Sequence, residues 1–321
     1  MARYRTSLPQ LGNTEFLTDG GLETTLIYKQ GIELPYFAAF DLLKDERGRV
    51  ALEGYFRTYV EMAREHRVGC VLESATWRAS ADWGRRLDIS GEALSAMNRA
   101  AIDLLVPLAR GYETETTPIV ISGCVGPRGD GYRVSERMSA PEAEQYHRPQ
   151  IEAFSQTEAD LVSAITMNYV EEAIGIVRAA SAVGMPAVVS FTVETDGRLP
   201  SGQALEDAIL TLDAESPIAP AYYMINCAHP AHFEGVLRRG GAWLSRVRGL
   251  RANASTRSHA ELDASTELDD GDPEDLGRRY AELAALLPRL NVIGGCCGTD
   301  DRHVAAMYRS CAPVFEGRRP S

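Results

Sequence analysis

Eight short β-branched runs, each followed by a turn and a longer stretch of helical periodicity, limit what this chain can fold into. The runs are EFLT (15–18), CVLES (70–74), PIVISG (118–123), DLVSAIT (160–166), AVVSFTV (187–193), YYMINC (222–227), GLRANA (249–254) and NVIGG (291–295). They are nearly continuous in apolar character, as strands covered on both faces are. Residues 49–67 carry apolar groups at 52, 56, 59, 60 and 63, a helical stripe. Segments 91–110, 139–157, 170–183, 204–213, 230–239, 273–287 and 300–310 complete a set of helices. The alternation predicts an α/β protein, a single (β/α)8 TIM barrel, a fold that takes about 250 residues plus insertions. An open doubly wound sheet is the rival, but no Gly-x-Gly-x-x-Gly follows the first strand. No Pro/Gly/Ser linker or fixed repeat divides the chain, so residues 1–321 are expected to form one domain. The acidic, apolar-poor stretch 255–275 is expected to be a solvated loop, with a lid as the alternative.

With 45% apolar residues the chain can bury a large core, and its net charge of −12 argues against nucleic acid or an anionic membrane as partner. No run reaches the about eighteen apolar residues that span a bilayer. The N-terminus MARYRTSLPQ lacks the apolar core of a signal peptide, so a cytoplasmic location is the default expectation.

In a reducing compartment, clustered cysteines point to metal or catalysis rather than to a disulfide framework. Cys70 and Cys311 read as small buried hydrophobes. Cys124, Cys227 and the adjacent pair Cys296 and Cys297 instead fall at the C-terminal ends of the third, sixth and eighth strands. Barrel enzymes carry their chemistry on that rim. Three thiolates would leave one zinc position open for a substrate thiol, and coordination strips a thiol's proton. Thiolate-rich ligation suits zinc rather than magnesium or calcium. Successive strand side chains point opposite ways, so both adjacent sulfurs reach one ion only if the glycine-flanked backbone turns there. On spacing alone, buried structural thiols and a transient vicinal disulfide stay open beside the zinc reading.

The motif GGCCGT (294–299), the upstream NC (226–227) and DGG (19–21) after the first strand resemble the homocysteine S-methyltransferase family, nearly end to end. LTDGGLETTLI, LESATWRAS and SGCVGPRGD sit where that family carries its first three strand-end motifs. The resemblance implies a zinc-dependent barrel that moves a methyl group from an onium donor or folate to a thiol. It implies Cys227, Cys296 and Cys297 as zinc ligands, Asp19, Gly20 and Gly21 lining the acceptor site, and Thr76 and Trp77 nearby. A chain of 321 residues has no room for cobalamin or folate modules, so a sulfonium or quaternary ammonium donor is expected. Trp77 and Trp83 either face such a cation or merely pack. Asn226, before a ligand, is expected to orient backbone or substrate.

One departure stands out. The resemblance places a glutamate at the end of the fourth strand, where it would hold the acceptor's amino group, and this chain has Ile165 there with Thr166 kept. Glu194, after the fifth strand, is the better substitute carboxylate; Glu171 and Glu172 read as helix-start acids. Arg78 is expected to be solvated or in a structural salt bridge. His229 and His303 are expected to cap helices or lie on the surface rather than to complete the metal site. The expected activity is methyl transfer to homocysteine or a related small thiol. The rivals are another thiol alkylation by a zinc-keeping barrel, and a non-catalytic zinc or redox-sensing protein. The expected partners are the thiol acceptor and the methyl donor; a homo-oligomer is left open.

Overall fold

In the computed structural model, which describes residues 2–134 and 137–318, the strands close into one parallel barrel in chain order. They are β1 (Phe16–Leu17), β2 (Gly69–Glu73), β3 (Ile119–Val125), β4 (Leu161–Met167), β5 (Ala187–Phe191), β6 (Tyr223–Asn226), β7 (Val247–Ala252) and β8 (Val292–Gly295). Closure runs through β1, where Leu17 is in register with Cys70 on one side and Ile293 on the other. The open doubly wound sheet is thereby excluded.

The outer helices are α1 (Glu46–His66), α2 (Gly91–Tyr112), α3 (Ala140–Ser155), α4 (Val170–Ala182), α5 (Leu205–Glu215), α6 (Pro230–Leu237), α7 (Pro273–Leu286) and α8 (Asp301–Glu316). Helix α1 begins three residues before the expected 49 because Asp45 caps it, its carboxylate accepting from Gly48 N at 2.8 Å. Its buried face holds Leu52, Phe56, Tyr59, Val60 and Ala63, the expected stripe. Helix α8 runs to Glu316 rather than 310, since Val304, Met307, Cys311 and Phe315 continue its buried stripe. A short helix the sequence pattern did not announce, Ala81–Arg86, lies between β2 and α2.

Two apolar layers result. Leu17, Cys70, Leu72, Val162 and Ile293 pack outward under the helices. Phe16, Val71, Val120, Leu161, Val188, Met224 and Val292 form a separate cluster that plugs the barrel interior. Strand pleat alternates the two sets, and it carries Glu73, Ser122, Ser163, Ser190 and Asn226, all buried, on the interior parity. The barrel is therefore apolar at the bottom and polar towards the rim. Among the described residues no helix is long and apolar enough to cross a membrane.

Candidate metal centre

Backbone turns, not strand geometry, bring the sulfurs together. The ends of β1 and β8 are locked by Gly295 N donating to Asp19 O at 2.9 Å and Gly21 N donating to Thr299 O at 3.0 Å. A Cβ at Gly20 would sit 2.8 Å from the Tyr59 hydroxyl and 2.9 Å from Thr299 O, so this approach requires glycine. Beyond β8 the chain turns, with Thr299 N donating to Cys296 O at 3.1 Å and Gly298 at φ +79°. Cys227 leaves β6 at φ +52°, its N–H donating to Arg251 O at 3.0 Å. That left-handed conformation is uncommon in a residue with a side chain and points to a constrained position.

The sulfurs of Cys227, Cys296 and Cys297 all lie within 4.8 Å of one another, and among the described residues no other cluster of three potential metal ligands occurs. Cys227 and Cys297 are 3.8 Å apart, while Cys227 and Cys296 are joined as a disulfide. Tetrahedral zinc with Zn–S bonds of about 2.3 Å separates its sulfurs by about 3.8 Å. The reduced residues therefore fit a metal ion, and the disulfide must be opened first because a thiolate is the ligand. The bond joins Cys227 to Cys296, not the adjacent pair considered for a vicinal disulfide. The Tyr132 hydroxyl lies 3.4 Å from Cys227 Sγ and 3.6 Å from Cys297 Sγ, and Asn226 Nδ2 lies 3.9 Å from Cys296 Sγ. Burial pushes the Cys297 thiol up, against a pull from Tyr132.

The other candidate ligands are engaged elsewhere. His229 caps α6, its Nδ1 accepting from Ala231 N at 3.2 Å, and burial drives it down to about 4. His303 is held by Asp300 at 2.8 Å and Asp270 O at 2.7 Å. Cys124 lines the same cavity outside the sulfur cluster. Cys70 and Cys311 are buried with thiols pushed up by desolvation, as expected of small hydrophobes.

A charged layer lies beside the sulfurs. Arg251 Nη2 is 2.5 Å from Asp19 Oδ1, and the Tyr55 hydroxyl donates to Asp19 Oδ2 at 3.0 Å. Burial opposes the Arg251 charge, but Asp19 and Glu73 hold it firmly. Burial pushes Glu73 above the usual carboxylate range, against Arg251 and the Ser122 and Ser163 hydroxyls. Asn226 Oδ1 accepts from Thr166 N at 3.0 Å and Ser190 Oγ at 2.6 Å, while its Nδ2 donates to Thr166 Oγ1 at 2.8 Å.

A cavity of about 500 Å³ opens over the sulfurs. Asp19, Gly20, Gly21, Trp77 and Ile165 line it; Thr76, Asn226 and Glu194 do not. Thr76 is fully buried, its hydroxyl donating to Cys124 O at 2.7 Å. Glu194 instead faces His259 Nδ1 at 3.3 Å. Two expectations are corrected. The 255–275 stretch is not simply solvated: it contains the helix His259–Asp263, and His259, Leu262 and Asp269 wall the cavity. His259 is buried because its ring stacks on Tyr132 at 4.0 Å and its Nε2 meets Cys227 O at 2.5 Å. Among the described residues Arg78 makes no salt bridge: its guanidinium stands 3.7 Å over the Trp83 ring and 4.5 Å over Trp77. Both tryptophans line the cavity, and an arginine stands over their faces. Tyr132, His259, Glu23, Glu73 and Arg251 also line it and were not singled out in the sequence. Glu73 and Arg251 lie on strands at the rim, which is the signal that points to them.

Convergent cysteines beside a cavity on the C-terminal rim of a closed (β/α)8 barrel define a thiol-ligand barrel enzyme. The family model described as homocysteine S-methyltransferase matches residues 16–311, and the chain belongs to that enzyme family. It is 22% identical over 317 residues to Homocysteine S-methyltransferase 1 of Brassica oleracea var. italica, covering 91% of this chain and 92% of the relative. It is 27% identical over 236 residues to the homocysteine S-methyltransferase of Escherichia coli (strain K12), covering 66% and 71%. In fold it is similar to the E. coli homocysteine methyltransferase MmuM. The oxidized form of that protein gives a TM-score of 0.74 at 19% identity, over 96% of this chain and 99% of that one. Its metallated form gives 0.69 at 19% identity, over 95% and 98%.

Proposed function

We propose that this chain is a single-domain, zinc-dependent methyltransferase that moves a methyl group from a sulfonium or quaternary ammonium donor to a small thiol, homocysteine or a related one. The observation that carries this reading is the convergence of Cys227, Cys296 and Cys297 within 4.8 Å beside a cavity on the barrel rim. The three reduced cysteines would hold the ion, and thiolate-rich ligation favours zinc among common metals. When bound, zinc supplies an open position at which an acceptor thiol gives up its proton near neutral pH.

The chain's own residues do the rest. Tyr132 and Asn226 direct hydrogen-bond donors at the sulfurs. The Arg251–Asp19 pair fixes the DGG turn against β8. Trp77, Tyr132 and His259 wall the cavity and limit water. In the transfer, the acceptor sulfur's electron pair forms the new S–CH3 bond. The donor's S–CH3 or N–CH3 bond breaks, and its pair returns to the donor heteroatom. The products are a thioether and a neutral donor, so no general acid is required and orientation supplies most of the protein's contribution.

The test is product formation by reduced, zinc-loaded protein given homocysteine with S-methylmethionine, S-adenosylmethionine or betaine, read by mass spectrometry. A methyl thioether in at least one combination is the expected result; none, with full zinc occupancy and a wider panel of thiols, contradicts the reading. The Cys227–Cys296 disulfide favours a second reading, a redox-sensing protein. A substrate-sized cavity beside the sulfurs favours the first.

A further inference from the structure

Among the described residues, two guanidinium groups on the cavity wall make no ion pair with a carboxylate. Arg78 and Arg86 both line the cavity and both stand over the Trp83 ring, at 3.7 and 4.5 Å from its centroid. Among the described residues neither has a carboxylate oxygen within 4.0 Å. Their neighbours Arg85 and Arg128 do, sharing Asp82. Among the described residues Arg78 makes one hydrogen bond, Nη1 to Gly129 O at 3.3 Å, and its Nε is buried without a partner.

A guanidinium stays charged at any working pH and offers a planar fork that matches a carboxylate or sulfonate. The faces of Trp77 and Trp83 hold the Arg78 fork flat, so little side-chain freedom is lost when an anion docks. Burial opposes its charge, and Asp130 and Glu23 support it only through space. Asp19 is engaged by Arg251, and Glu23 and Asp130, which also line the cavity, make no ion pair with Arg78. Ile165 adds an apolar wall beside Trp77, whose Nε1 donates to Ile165 O at 3.1 Å.

We infer that Arg78, backed by Arg86, is an oxyanion subsite that takes a carboxylate or sulfonate carried by the acceptor at the end away from its sulfur. This deepens the thiol-acceptor reading and rests on it.

Calorimetric titration of reduced, zinc-loaded protein with four thiols of similar size tests the inference. They are neutral 2-mercaptoethanol, cationic cysteamine, and anionic 3-mercaptopropionate and 2-mercaptoethanesulfonate. The anions are expected to bind about tenfold or more tightly than 2-mercaptoethanol, and cysteamine no more tightly. Arg78→Met narrows the anion-to-neutral ratio to within about threefold, and Arg86→Met narrows it less. Equal binding of all four thiols by the wild type, or an unchanged ratio in Arg78→Met, overturns the subsite and leaves the thiol reading standing. Failure of every thiol to bind overturns both. Should Arg78→Met not fold, the wild-type ranking with Arg86→Met decides.

Discussion

Arg251 and Asp19 meet at 2.5 Å across β8, tying the end of β7 to the end of β1 inside the barrel rim. Arg251 Nε also donates to Gly295 O at 3.1 Å, so one guanidinium spans three strand ends. Arg251→Met would leave Asp19 and Glu73 buried without their counter-charge. The expected cost is about 3–5 kcal/mol of stability, measured by urea unfolding of the reduced protein. A loss below about 1 kcal/mol would show that the carboxylates are accommodated without it.

The Tyr132 phenol points at Cys227 and Cys297, at 3.4 and 3.6 Å. Tyr132→Phe removes that donor and keeps the ring stacked on His259. Zinc affinity should fall about tenfold in chelator competition, the usual scale for an outer hydrogen bond to a metal ligand. Unchanged affinity would mean that the phenol only packs.

Glu23 lines the cavity, and burial, with Asp19 adding to it, raises its pKa from 4.5 to about 7. Between those values the folded protein holds a proton that the unfolded chain has lost. Its contribution to stability is therefore full below about 4.5 and is lost as pH rises through 7. Glu23→Gln should raise the melting temperature relative to wild type at pH 8 and leave it nearly unchanged at pH 5. An equal shift at both pH values would contradict the assignment.

Asn226 satisfies Thr166 N, Thr166 Oγ1 and Ser190 Oγ with one amide. Asn226→Ala strands buried polar groups on two strands and should cost about 2–4 kcal/mol in chemical unfolding. Retention of full stability would imply that neighbouring groups re-pair.

The barrel was legible in the sequence because covered parallel strands read as short apolar runs, and seven helices beyond α1 followed from the same alternation. The cysteine cluster was legible in two steps: GGCCGT and NC fall at strand ends on the rim where barrel enzymes carry their chemistry, and the family resemblance singled out Cys227, Cys296 and Cys297 from Cys124 on the same rim. The substrate wall was less so. Tyr132 comes from a loop and His259 opens a short helix in an acidic stretch, neither marked by periodicity in the sequence, and the two rings stack on each other. Arg78 read as solvated or salt-bridged because nothing in the sequence places the Ala81–Arg86 helix and its Trp83 against it. Glu194 looked available to substrate because its strand end is on the right rim, yet its carboxylate is turned to His259.

The most direct measurement of the central claim is zinc per chain, by atomic emission, in protein purified under reducing conditions without chelator, for wild type and for Cys297→Ala. The account predicts about one zinc in the wild type and a large loss in the variant. No zinc in freshly reduced wild type, or full zinc in the variant, would contradict it.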